Sequence, residues 1–223
     1  MIRAVVLLSG GLDSATVLAV AARDGRTIHA ISIDYGQRHK VELEAARRLA
    51  HAASVAEHRV VGLDLRQFGA SALTADIPVP RSGAPSETIP VTYVPARNTI
   101  FLSLALAFAE TTGAAEIWLG VNAVDYSGYP DCRPLFLNAF QEVILQGTRS
   151  GVEHGHPVIV APLLHLSKKE IITLGSELGV DYSKTHSCYD PDASGLACGS
   201  CESCHLRRLG FEQAGLADPT RYQ

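Results

Sequence analysis

Six consecutive residues, Ser9-Gly10-Gly11-Leu12-Asp13-Ser14, combine two glycines, two hydroxyls and a carboxylate. They follow an apolar run at residues 4–8 and precede a largely apolar run at 15–22. That pattern is a buried strand, a tight loop and a buried helix. Glycines let the chain turn sharply and bring backbone close to a ligand. Ser14 or Asp13 can cap the helix, whose first N–H groups and positive dipole end suit a phosphate. An ordinary strand–helix turn would account for Gly-Gly alone; the full run in this setting favours phosphate binding. It is not a Walker A loop, which needs a lysine, nor a dinucleotide fingerprint, which needs a third glycine.

The second cluster is Cys188, Cys198, Cys201 and Cys204. Four thiols on short loops, with Gly195 and Gly199 allowing tight turns, predict a tetrahedral zinc site. An iron–sulfur cluster is the competing use of four cysteines. A four-thiolate site leaves no open position, so its expected role is structural. His205 is not needed as a ligand. Cys132 is left over, read as a small buried hydrophobe with a nucleophilic role as the alternative.

Other polar residues fall where strands end. Asp34-Tyr35-Gly36-Gln37-Arg38-His39 follows a strand at about 27–33. Arg97 and Asn98 open an apolar helix, and a planar guanidinium suits phosphate or carboxylate better than a surface ion pair would require. The stretch from Asn122 to Arg133, with Asp125, Tyr129 and Asp131, gathers donors, acceptors and rings suited to a ring-shaped substrate. His154-Gly155-His156 is a weak metal pair and reads as exposed loop. Ser167-Lys168-Lys169-Glu170 is a capping box, and lysines there oppose the helix dipole, which suits an anionic neighbour, with solvated lysines as the equal alternative.

These segments sit in an alternating pattern of strands and helices, which predicts an α/β fold with a doubly wound, mostly parallel five-stranded sheet. Periodicity fails over 65–93, where four prolines mark an irregular insertion, either a functional lid or disordered. The expected division is a nucleotide-binding domain over 1–180 and a small cysteine-bearing, helical segment over 181–223. The chain has 223 residues, 47% hydrophobic, with net charge −4. No Lys/Arg run predicts nucleic-acid binding, and no apolar run spans a membrane. A strand follows Met1 directly, which predicts no signal peptide and a cytoplasmic location.

The first run resembles the PP-loop of the N-type ATP pyrophosphatases, which cleave ATP between the α and β phosphates. Over nearly its whole length the chain resembles the 7-cyano-7-deazaguanine synthases of queuosine biosynthesis. The resemblance rests on the PP-loop, Asp34 to His39, Val94-Pro95-Ala96-Arg97-Asn98, Gly120-Val121-Asn122, Asp125 to Arg133, and Ser187-Cys188-Tyr189 with the later cysteines. His186 departs from it, standing where tryptophan is expected.

The resemblance implies that 7-carboxy-7-deazaguanine, ammonia and two ATP give the nitrile, with Mg2+ on the triphosphate. It implies an ATP site at Leu8, Ser9, Gly10, Gly11, Leu12, Asp13, Ser14, Ala15, Thr16, Val17 and Leu18, with Ile33 and Asp34. Ser9, Asp13, Ser14, Arg97 and Lys168 would act in catalysis. Arg38, Asn98, Asn122, Asp125, Tyr129, Asp131 and Arg133 would contact substrate. A homodimer is expected. The alternatives are another PP-loop adenylating ligase or tRNA-modifying enzyme, and a zinc-bearing RNA- or protein-binding module. A thiolating enzyme should carry a reactive cysteine pair and a basic face; here one cysteine is spare and the charge is negative.

Overall fold

The computed structural model describes residues 1–38, 40–81, 89–122 and 128–223. Five parallel strands form one sheet: β1 (Arg3–Leu7), β2 (Thr27–Asp34), β3 (Glu57–Gly62), β4 (Glu116–Trp118) and β5 (Val158–Val160), in the order β3-β2-β1-β4-β5. The central β1 is apolar on both faces because both faces are covered. Ala4 and Val6 point into one core and Val5 into the other. Strand order reverses between β1 and β4, so the connections leaving these strands part there and open a crevice at their carboxyl ends.

Helix α1 (Leu12–Arg23) and α2 (Val41–Ala52) lie on one face; α3 (Arg97–Thr112) and α4 (Pro134–Gly147) lie on the other. A short α5 (Arg149–His154) follows, capped by the Thr148 hydroxyl accepting from the Gly151 N–H at 3.0 Å. Of the His154-Gly155-His156 stretch read as loop, His154 ends this helix, which is too short for a hydrophobic period to register. Helix α6 (Lys168–Glu177) carries the expected capping box, Ser167 with Glu170. Helix α7 (Glu202–Ala214) packs on α6, with Gly210 so close to Lys168 and Ile172 that any Cβ there would collide with their side chains. Phe211 thereby joins the main core rather than a separate one.

One sequence expectation changes. Helix α1 starts at Leu12 with Gly11 as its N-cap and no side-chain cap. Ser14 and Asp13 lie inside the first turn, and the Ser14 hydroxyl donates back to the Gly11 carbonyl at 3.1 Å. Neither Ser14 nor Asp13 therefore caps the N–H groups of this helix end. The described part of the 65–93 insertion is packed: Ala72, Leu73 and Val79 are buried, and the Ala72 N–H donates to Val91 O at 2.8 Å. Among the described residues no helix is long and apolar enough to cross a membrane.

Candidate functional site

A cavity of about 280 Å³ opens at the carboxyl ends of β1, β2 and β4, where the strand order predicts one. Its floor is the loop itself: Leu8, Ser9, Gly11, Leu12, Asp13 and Ser14 all line it. Gly10 shapes the loop from behind. Its φ is +90°, and a Cβ there would strike the carbonyl oxygen of Glu42 in α2. Gly11 has an ordinary φ of −81°, and its missing Cβ faces the hydroxyls of Ser9 and Ser187 and the carbonyl of His186. The space there belongs to the cavity. The Ser9 and Ser14 hydroxyls meet at 3.1 Å, and the Gly11 N–H donates to Ser9 Oγ at 3.3 Å. Two hydroxyls beside an uncapped helix start form a cradle for an anion.

Charge around the cradle is arranged by distant elements. Lys168 Nζ donates to both oxygens of Asp13, at 2.8 and 2.9 Å. Arg97 lines the cavity from the start of α3. Burial works against its charge, but Tyr35, Cys132, Tyr189 and Asp131 surround the guanidinium and hold its pKa above the ordinary value. Arg38 also lines the cavity; its Nη2 donates to Ala75 O and Ile77 O at 3.1 and 2.8 Å, fastening the insertion to the cavity rim.

The remaining sequence candidates divide. Ile33, Asn98 and Tyr129 line the cavity, and the Tyr129 hydroxyl pairs with Thr92 Oγ1 at 2.9 Å. Ala15, Thr16, Val17 and Leu18 do not; they run down α1 into the core, where Thr16 Oγ1 meets the Tyr182 hydroxyl at 2.9 Å. Asp34 leaves the lining too, its carboxylate 3.0 Å from Lys40 Nζ. Asp131 was expected to face the substrate ring. Its carboxylate instead accepts from the Asn98 N–H at 2.9 Å and fixes the start of α3. Asn122 is wholly buried outside the lining, and Arg133 is the exposed residue preceding α4. Asp125 lies outside the described residues.

Several lining residues carried no local signal. Tyr35 and Gln37 come from the β2–α2 connection, Glu42 from the first turn of α2, and His186, Ser187 and Tyr189 from the chain entering the cysteine segment. His186 looked like a bystander beside a ligand; its N–H donates to Gly10 O at 2.9 Å, so it braces the loop. The motif Asp34 to His39 contained Tyr35 and Gln37 but could not say which way they point.

The four cysteines converge. The sulfurs of Cys188, Cys198, Cys201 and Cys204 all lie within 4.8 Å of one another. Four sulfurs around one zinc stand about 3.8 Å apart, given Zn–S bonds of about 2.3 Å. Backbone N–H groups donate to them: Asp190 and Cys198 to Cys188 Sγ at 3.3 and 3.2 Å, and Cys201 to Cys198 Sγ at 3.3 Å. Such donors stabilise thiolates. Hydrogen bonds from the Cys188 and Cys204 thiols hold the Cys201 thiol well below its ordinary value. The group can hold one metal ion. Ala72 and Val79 of the insertion pack on it, and Cys188 also lines the cavity, so the cluster supports both cavity wall and insertion.

A parallel five-stranded sheet with a glycine-rich loop at its switch point defines the adenine nucleotide alpha hydrolase fold. Solved structures share it. An NMN synthetase from Francisella tularensis superposes with TM-score 0.50 at 16% identity, covering 97% of this chain and 78% of that one. A predicted subunit of tRNA methyltransferase from Methanocaldococcus jannaschii gives 0.52 at 17%, covering 100% and 93%. A 4-thiouridine synthetase in complex with RNA and ATP gives 0.52 at 19%, covering 96% and 50%. At such identities the likeness concerns the fold alone.

The family model described as "Queuosine biosynthesis protein QueC" matches residues 3–215, and the chain belongs to that family of ligase-type enzymes. Relatives named 7-cyano-7-deazaguanine synthase include those of Solidesulfovibrio magneticus, 61% identical over 99% of this chain and 96% of that protein, and Thiobacillus denitrificans, 62% identical over 98% and 97%.

Proposed function

We propose that the chain converts 7-carboxy-7-deazaguanine and ammonia to 7-cyano-7-deazaguanine, using two ATP and releasing AMP and pyrophosphate twice from one cavity. One observation carries the reading: the uncapped start of α1 and the Gly10–Gly11 loop open onto a cavity sized for small molecules. The names of relatives near 60% identity support the nitrile product.

A carboxylate oxygen leaves badly. In the first round it attacks the α-phosphorus of ATP, and pyrophosphate leaves against the N–H groups of Gly10, Gly11 and Leu12 and the hydroxyls of Ser9 and Ser14. Ammonia attacks the activated carbon, AMP departs with the oxygen, and the amide remains. In the second round the amide oxygen is adenylated in turn and leaves with AMP, giving the nitrile. Arg97, Arg38 and Lys168 offset the charge that develops on phosphate. Lys168 does so while holding Asp13, whose role is to brace the loop. Magnesium offsets triphosphate charge when bound. Ile33 borders the adenosine; Asn98 and Tyr129 border the deazaguanine; Asp131 positions Asn98.

In the cysteine cluster the ion is a single structural zinc, since sulfurs this close suit one ion rather than a multi-iron cluster. The exposed apolar side chains of Leu135 and Val143 on α4 are consistent with a homodimer. The test is incubation with ATP, magnesium, ammonium and the carboxylate, followed by mass spectrometry of the bases. Nitrile formation supports the reading. AMP without nitrile sinks the substrate assignment, and no nucleotide turnover sinks the reaction.

A further inference from the structure

We infer that the Glu42 carboxylate binds the incoming ammonium and accepts the protons that the nitrogen sheds. The inference rests on the proposed reaction and deepens it. Nitrogen arrives as ammonium with four N–H bonds and leaves as a nitrile with none. Each of those protons needs an acceptor within reach of the activated carbon, and a cavity-lining base supplies it.

Glu42 stands in the first turn of α2 and lines the cavity. Its carbonyl lies where a Cβ of Gly10 would be, so this helix start abuts the phosphate loop. Tyr35 and Gln37 line the cavity from the end of β2, Arg97 from α3. Gln37 is pinned by the Tyr35 N–H, which donates to its Oε1 at 2.8 Å. Its Nε2 is buried close to Glu42, where it acts as a donor toward that carboxylate and helps to orient it.

Three other acceptors in or beside the cavity are less suited. Both Asp13 oxygens accept from Lys168. Burial drives the Tyr35 hydroxyl far above its usual range. Asp34 is held by Lys40. The groups facing Glu42 are Arg97, Gln37, Asp34 and the Tyr35 hydroxyl. Burial raises its pKa most, Arg97 and Gln37 lower it, Asp34 raises it, and the result is about 7. A base there takes and returns protons at neutral pH.

The steps balance. Ammonium gives one proton to Glu42, leaving ammonia, whose lone pair attacks the acyl carbon. The bond from carbon to the AMP oxygen breaks, its electron pair leaving with AMP. The nitrogen loses a second proton, giving the amide, after Glu42 has returned the first to water. In the second round Glu42 takes the remaining two protons one at a time, passing the first to water before the second, as the carbon–oxygen bond breaks with its electron pair leaving on AMP and the triple bond closes.

The test compares the parent protein with Glu42→Gln and Glu42→Asp. Two rates are read: nitrile formation across pH, and carboxylate-dependent ATP–pyrophosphate exchange without ammonium. Glu42→Gln is expected to cut nitrile formation about 100-fold or more, while exchange falls less than about 5-fold. The parent rate should rise through pH 7 and that limb should vanish in Glu42→Gln; Glu42→Asp should restore part of the rate. A Glu42→Gln protein with parental rate, with the same pH limb, or with exchange lost in step with nitrile overturns the assignment. A parent protein without exchange overturns the underlying reaction, and is recognised before any variant is made.

Discussion

Lys168 holds both carboxylate oxygens of Asp13, at 2.8 and 2.9 Å, across 155 residues of sequence. A lysine in the first turn of α6 is unfavourable for that helix alone. It becomes favourable because α6 docks against α1 and presents the Lys168 ammonium to Asp13 in the Ser9–Ser14 loop. The pair ties the two helices together and sets a positive charge at the cradle.

Lys168→Met should therefore act twice. Removing a charged hydrogen-bonding partner from a mostly buried pair should cost about 2 kcal/mol of stability. Loss of the charge at the cradle should slow carboxylate-dependent exchange by about 100-fold. Thermal unfolding and exchange rates measure the two effects, and an unchanged exchange rate would remove Lys168 from the chemistry.

The two loop glycines should respond differently. At Gly10, alanine meets both a φ of +90° and the Glu42 carbonyl, so Gly10→Ala should unfold or loosen the protein by about 3 kcal/mol or more. At Gly11, the φ is ordinary and the new methyl faces the cavity. Gly11→Ala should melt near the parent temperature yet bind ATP poorly. Calorimetry of unfolding and of ATP binding separates them; parental ATP affinity in Gly11→Ala would contradict the cradle.

Metal removal should reach the cavity. Cys188 and its neighbours Ser187 and Tyr189 form part of the cavity wall, and Ala72 and Val79 of the insertion rest on the cluster. Metal analysis should find one zinc per chain, and chelation should lower the unfolding temperature and abolish exchange together. Unfolding that is indifferent to chelation would contradict a structural ion.

Arg207 anchors the tail that leads into this wall. It is buried, donating to Asp218 Oδ1 at 3.0 Å, Thr185 Oγ1 at 2.8 Å and Tyr182 O at 3.1 Å. Arg207→Met should cost about 3 kcal/mol, because Asp218 is then left without its counter-charge. Burial by itself raises the Asp218 pKa, but Tyr222 and Arg207 outweigh it and hold it below the ordinary carboxylate value. A depressed folded-state pKa contributes stability that is complete above the unfolded value and fades as pH falls through the folded one. Denaturant midpoints should therefore drop in acid for the parent protein and drop less for Arg207→Met; equal slopes would contradict the pairing.

Local spacing made some of this readable. Gly10-Gly11 between two apolar runs, and the intervals between the cysteines, each encode a geometry within a few residues. The alternation of strands and helices was enough for the sheet. What escaped reading depends on how elements dock. Glu42 looks like any acidic residue in the first turn of a helix; only the seat of α2 against Gly10 brings it to the cavity. Asp131 looked like a substrate contact because it lies in a polar loop beyond a strand, yet its side chain turns to cap α3. Thr16, Val17 and Leu18 follow the loop in sequence, but α1 carries them into the core within one turn.

The central claim is that each oxygen of the substrate carboxylate leaves on AMP. It is tested by supplying 7-carboxy-7-deazaguanine labelled with oxygen-18 at both carboxyl oxygens and analysing the nucleotides by mass spectrometry. The account predicts two AMP per nitrile, each carrying one labelled oxygen, and unlabelled pyrophosphate. Label in inorganic phosphate or pyrophosphate, or ADP in place of AMP, would contradict it.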